Sequence, residues 1–308
     1  MAVGAEQVFK LTFLPPPHTF SPFNQNFTEN LSPSYSSFYY SRLTETLMSK
    51  PNTFNNQHSA SSMDANTVYL VTGVNRGIGH GMMNSLVQRP NTTVIGTVRG
   101  DPELVDTSNL DLAKGSLVII KSLSSTSETD ATTLITSLEL SHNITSIDVI
   151  IANAGVAASF DSALKTPISE LRVDFETNTL GPIKLFQAAY PLLQKSQRGP
   201  KFIYISSSLG SIEAKEESPI LAYGVSKAAA NFFVRTLHFE HEDLVAVALH
   251  PGWVKTGNGQ AFADAVGVTE PPMTIEASVD GVLKQVDAAT RETASGKFVS
   301  YDGTIIPW

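Results

Sequence analysis

A tyrosine and a lysine four residues apart, Tyr223 and Lys227, share one face of any helix that carries them. A phenol beside an ammonium can donate or accept a proton, and the cation pulls its pKa down from about 10 toward the working range. Ser207 follows the apolar run Phe202–Ser206 and offers a hydroxyl that can hold the oxygen being protonated. Together the three residues describe proton transfer at a carbonyl or alcohol oxygen. A Tyr-x-x-x-Lys pair alone also describes an exposed helix face, so its surroundings decide.

Upstream, Thr72-Gly73-Val74-Asn75-Arg76-Gly77-Ile78-Gly79 joins a β-branched run to a helical pattern. Glycines there permit a tight turn and close backbone approach, and the helix start points free N–H groups at an anion. The spacing is Gly-x-x-x-Gly-x-Gly, and Gly73, Asn75, Arg76, Gly77, Ile78 and Gly79 are the candidate contacts to a dinucleotide. Asn153-Ala154-Gly155 ends a later strand, where small side chains let a ribose or ring lie against the sheet. The strand Thr93–Val98 is followed by Arg99, where an NAD-binding chain places an acid for the ribose hydroxyls. Arg76 and Arg99 around one site suit a 2′-phosphate, which selects NADP(H).

These residues need a scaffold. Thr67–Thr72, Thr93–Val98, Leu117–Ile120, Ile147–Ala152, Phe202–Ser206, Leu244–Leu249 and Phe298–Ser300 read as strands. Gly77–Gln88, Glu128–Leu140, Glu170–Leu193 (with a break near Gly181), Leu221–Glu240 and Ile275–Thr290 read as helices. Near-continuously apolar strands alternating with helices give a doubly wound α/β sheet, mostly parallel and seven-stranded, with helices on both faces. Its ligand crevice lies at the carboxyl ends of the strands. Trp253 and the stretch 257–274 read either as a mobile substrate lid or as an ordinary loop.

In order and spacing, Thr72-Gly73-x-x-x-Gly77-x-Gly79, Asn153-Ala154-Gly155, Asn178, Ser207, Tyr223-x-x-x-Lys227 and Pro251-Gly252 resemble the short-chain dehydrogenase/reductases. The resemblance implies a single Rossmann domain and a nicotinamide cofactor. It implies that Tyr223 is the general acid/base, that Lys227 tunes it and holds the nicotinamide ribose, and that Ser207 positions the substrate oxygen. Asn178 would complete a proton relay through water. Pro251, Gly252, Val254 and Thr256 match the segment that meets the nicotinamide carboxamide. Ser124 stands where the family usually has an acid for the adenine. The last third, with Gly296-Lys297-Phe298 and the terminal Pro307-Trp308, resembles fungal ketoreductases of the norsolorinic-acid type. That implies a ketone on an aromatic or polyketide-like substrate and a homodimer or homotetramer. The competing reading is a catalytically idle NADP-binding regulator, which should have lost the Ser, Tyr or Lys that this chain keeps.

Composition bounds the rest. The 308 residues carry a formal net charge of −8, which argues against nucleic-acid and membrane partners. There is no cysteine, so thiolate metal sites and a cysteine nucleophile are excluded. Residues 1–63 hold one of the 20 glycines and balance three basic against three acidic residues, so the −8 belongs to residues 64–308. The first segment reads as a disordered extension or a mis-assigned start, and residues 64–308 as the catalytic domain of a cytoplasmic protein. His238 and His241 sit in what reads as a solvated charged helix end rather than a metal site, and His250 as a packed strand-end residue. Phe232, Phe233, Val234, Leu237 and Phe239 read as core or subunit interface.

Overall fold

The structure, a computed structural model, describes residues 66–308 except Glu216. The expectation for residues 1–63 therefore lies outside the described residues. Eight strands form one sheet in the order β3-β2-β1-β4-β5-β6-β7-β8. In chain order they are β1 (Thr67–Thr72), β2 (Thr92–Val98), β3 (Leu117–Ser122), β4 (Val149–Ala152), β5 (Lys201–Ile205), β6 (Val245–His250), β7 (Lys297–Ser300) and β8 (Ile305–Ile306). The first seven are parallel, and the two-residue β8 adds an antiparallel edge absent from the sequence reading. A strand of two residues has no periodicity to detect.

The pleat sorts each strand between two cores. Val68 and Leu70 of β1 face one apolar layer, and Tyr69 and Val71 face the other. Helices α1 (Gly77–Val87) and α7 (Ile275–Ala288) cover the second layer through Met82, Met83, Leu86, Val279 and Leu283. Helices α2 (Asp130–His142), α4 (Gly181–Leu193) and α5 (Leu221–Glu240) cover the first through Leu134, Leu138, Phe186, Leu192 and Val234. The chain crosses from one side of β1 to the other between β3 and β4, so β1 and β4 flank the switch point where a crevice opens.

Two helical expectations change. The segment read as breaking at Gly181 runs from α3 (Ile168–Phe175) through a π-helical turn, Glu176–Leu180, directly into α4. The stretch 257–274, read as a lid or an ordinary loop, begins as a helix: α6 (Gly257–Val266) occupies its first ten residues, with Thr256 Oγ1 accepting the Gly259 N–H at 3.1 Å as its N-cap. The end of α5 is only partly solvated. His238 Nδ1 pairs with Ser295 Oγ at 2.9 Å and His241 Nδ1 with Tyr190 Oη at 2.8 Å. No described helix is long and apolar enough to cross a membrane. Among the described residues no cluster of His, Asp and Glu could hold a metal.

Candidate active site

The β1–α1 turn is shaped by three glycines. Gly73 and Gly77 take positive φ of 74° and 60°, which side chains with a Cβ rarely adopt. Gly79 is needed for a different reason: a Cβ there would stand 2.2 Å from the Gly73 carbonyl oxygen and 2.5 Å from Asn153 Nδ2. Asn153 locks the same turn, donating from Nδ2 to the Thr72 carbonyl at 2.8 Å, while Thr72 Oγ1 accepts the Asn153 and Ala154 N–H groups at 2.9 Å. The first turn of α1 has no side-chain cap and no acidic residue, so its N–H groups remain available to an anion. Gly79→Ala is expected to push this turn apart. A melting temperature lower by roughly 3–10 °C, together with loss of dinucleotide binding by titration, is the outcome that checks it.

Arg76 and Arg99 are exposed on the wall of a cleft of about 1140 Å³ that runs across the strand ends. Neither forms an ion pair among the described residues. Asp101, two residues beyond Arg99 in the chain, is spent as the cap of a short 3₁₀ turn, accepting the Glu103 N–H at 3.0 Å. Ser124 lines the same end, its N–H donating to Asp130 at 2.9 Å and its hydroxyl facing Thr126 at 3.0 Å.

At the other end, Ser207 leaves β5 and Tyr223 and Lys227 come from the first two turns of α5. Gly210 lets the Ser207 turn reach α5, since a Cβ there would stand 2.6 Å from Lys227 Cβ. The Ser207 hydroxyl faces the Tyr223 phenol closely enough to pull its pKa down. Lys227 is buried; its Nζ donates to the Ile205 carbonyl at 2.8 Å and lies over the rings of Tyr204 and Tyr223, 4.7 and 5.6 Å from their centroids. The expected lowering of the Tyr223 pKa is not what the fold produces. Burial pushes the phenol up to about 12, with the Ser207 hydrogen bond pulling down and the Asp174 carboxylate pushing up. Burial also pushes Lys227 down to about 7, which weakens the cation's leverage on its neighbour.

Asn178 sits in the π-helical turn, fully buried. Its amide is consumed by structure: Oδ1 accepts the Val156 N–H at 2.9 Å, and Nδ2 donates to the Val156 carbonyl at 2.8 Å and to Ser226 Oγ at 3.0 Å. Its backbone carbonyl accepts the Tyr204 hydroxyl at 2.9 Å. Below Ser207, His250 is packed as expected: Nδ1 accepts the Ser208 N–H at 3.0 Å, and burial pushes the imidazole down to about 4, so it is neutral. Pro251 is held by Ser278 Oγ donating to its carbonyl at 2.7 Å; Gly252, with φ 89°, turns the chain, and Val254 bridges to Met273.

The cleft wall thus gathers every sequence-derived site residue except Gly79 and Asn178, which stand behind it and hold the turn and the loop in place. Three residues were not legible: Asp174, Tyr204, and Phe160 of an aromatic group at the Tyr223 end, whose Trp253 and Phe262 fall in the segment read as a lid or a loop. In that group Phe262 of α6 meets Phe160 at 5.3 Å and Trp253 at 5.2 Å, and Phe160 meets Tyr223 at 6.3 Å between ring centroids.

Comparison with known proteins gives a consistent answer. Residues 67–266 match the short chain dehydrogenase family. A norsolorinic acid ketoreductase of Aspergillus parasiticus is 41% identical over 250 residues, covering 79% of this chain and 91% of that protein. A norsolorinic acid ketoreductase of Dothistroma septosporum is 37% identical over 263 residues, covering 83% and 98%. Among solved structures, the NADPH-bound carbonyl reductase from chicken fatty liver superposes with a TM-score of 0.68 at 29% identity, covering 79% of this chain and 100% of that one.

Proposed function

The chain belongs to the short chain dehydrogenase family, and from that premise we propose that it is an NADP(H)-dependent carbonyl reductase/alcohol dehydrogenase acting on an aromatic or polyketide-like ketone or aldehyde. The observation that carries this reading is the convergence of Ser207, Tyr223 and Lys227 on one end of a cleft whose other end presents Arg76 and Arg99. We place the activity in residues 64–308, because the relatives match 79–83% of this chain over 91–98% of their own length. A soluble cytoplasmic location is part of the same reading. So is a homodimer or homotetramer, supported by Val225, Phe232 and Phe239, which are exposed at seven-residue intervals along α5 while Val234 and Leu237 are core.

The residues present fit the cofactor. The uncapped α1 N-terminus and two unpaired guanidinium groups suit its phosphates, and the glycine turn admits its backbone-hugging pyrophosphate. When bound, it supplies the hydride. Tyr223, protonated throughout the neutral range, gives its proton to the carbonyl oxygen, and Ser207 hydrogen-bonds that same oxygen. Lys227 lines the cleft and gives one N–H to Ile205, so its remaining donors would be those that hold sugar hydroxyls there. Asn178 keeps Val156 and Ser226 in register, which fixes the floor beneath both.

Phe160, Trp253 and Phe262 favour a flat aromatic substrate, since offset and tilted ring pairs contribute about 0.5–1.5 kcal/mol beyond burial. Phe262→Ala is expected to raise KM roughly two- to tenfold for fused-ring ketones and to leave short aliphatic ketones unchanged. NADPH consumption across a ketone panel tests the whole reading. Wild-type protein that binds NADPH and reduces no member of the panel would favour the idle-regulator alternative.

A further inference from the structure

Helix α3 buries a single residue, and that residue is an acid. Asp174 has no exposed surface. Its Oδ1 accepts the Ala158 N–H at 2.8 Å, but its Oδ2 is buried without a hydrogen-bond partner. A buried carboxylate must be offset by a proton or by a cation. Lys227 has the complementary difficulty: it is 3% exposed, and its ammonium donates to the neutral carbonyl of Ile205. Asp174 stands one turn before Asn178, whose amide reaches Ser226, the neighbour of Lys227. The titratable groups that act on this pair are Glu170 from α3 itself, Tyr223 from α5 and, through the ring that holds Nζ, Tyr204 from β5. None of these three carries a positive charge, so each of the two buried ions is the counter-charge the other lacks.

We propose that Asp174 is a positioning residue for proton transfer, the buried counter-ion that keeps the Lys227 ammonium charged beside Tyr223. Its catalytic consequence rests on the reductase reading above; its electrostatic content does not. Burial pushes Lys227 down to about 7 while Asp174 pulls it up. Burial pushes Asp174 up to about 6, against the Ala158 N–H and the Lys227 ammonium and with Glu170. The signs follow. Removing the acid lets the lysine fall further, and removing the ammonium lets the acid rise, by amounts that thermodynamic linkage makes equal.

Asp174→Asn retains an acceptor for Ala158 and removes only the charge. In the cofactor-free protein, side-chain nitrogen NMR of labelled lysine is expected to show the Lys227 midpoint falling by about one pH unit or more. In Lys227→Met, the labelled Asp174 carboxyl carbon is expected to titrate higher by a comparable amount, which decides the matter even where Asp174→Asn does not fold. With NADPH and a ketone, Asp174→Asn is expected to lose at least about tenfold in kcat at pH about 8. The rate should return toward wild type at pH about 6, with KM for the ketone unchanged. Unmoved midpoints, or a loss of rate equal at every pH, would overturn the proposal. A wild-type protein that reduces no ketone would instead sink the reductase reading, while the two NMR midpoints would still decide the role of Asp174.

Discussion

Tyr223→Phe is expected to lower kcat for ketone reduction by about 10²–10⁴-fold, the usual contribution of a positioned general acid. The change removes one oxygen atom. The ring keeps its contact with Phe160 and the Lys227 ammonium keeps its seat over the ring face, so the shape of the cleft should persist. NADPH affinity by fluorescence titration is therefore expected to stay within a few-fold of wild type while turnover collapses. Equal losses in binding and turnover would mean that the phenol holds the cofactor rather than the proton. The pH behaviour adds a second check. Burial holds the phenol at about 12, so without added cofactor the difference in phenolate absorbance between wild type and Tyr223→Phe should stay flat up to pH about 10. A rise near neutrality would show that the ammonium dominates burial.

How much of this was legible in the sequence depended on whether the information was local. Helix α5 was read with both ends in place, because its apolar spacing is continuous from Leu221 to Glu240. Tyr223 and Lys227 followed at once from the four-residue repeat. The glycine turn was equally plain, since Gly73 and Gly77 advertise positive φ. Helix α6 was missed because Gly257 and Gly259 are poor helix formers; the one local signal was Thr256, whose side chain caps its first turn. Asp174 could not be read as buried at all. Nothing in Ile168–Phe175 marks its acid as different from Glu170, and the packing of α3 against α5 and the loop carrying Ala158 removes it from water. The direction of the Tyr223 shift failed for a related reason. Adjacency in sequence put a cation beside the phenol, whereas depth in the fold, which sequence does not state, outweighed it.

On the proposed reading, cofactor choice depends most on Arg99, directly after β2. Arg99→Asp is expected to weaken NADPH binding by about 10²–10³-fold, which combines loss of a charge-assisted contact with repulsion of the 2′-phosphate. NADH should gain, because an acid at that strand end accepts both ribose hydroxyls. Calorimetric Kd values for the two cofactors, and the ratio of their kcat/KM values, measure the switch; unchanged NADPH affinity would remove Arg99 from the site. The effect should be large because, among the described residues, Arg99 is not committed to an ion pair elsewhere. Asp101 is already spent on the Glu103 N–H, and neither Arg76 nor Arg99 has an ion-pair partner among the described residues. Arg76 should retain part of the phosphate attraction, so the double change with Arg76→Ala should exceed the single one, and wild-type NADPH affinity should fall as salt screens these exposed charges. A chain with net charge −8 can still select the more anionic cofactor. The field that matters is set by charges within a Debye length of a bound anion, about 10 Å at moderate salt, not by the sum over the surface, and Arg76 and Arg99 on the cleft wall are the groups that would supply it.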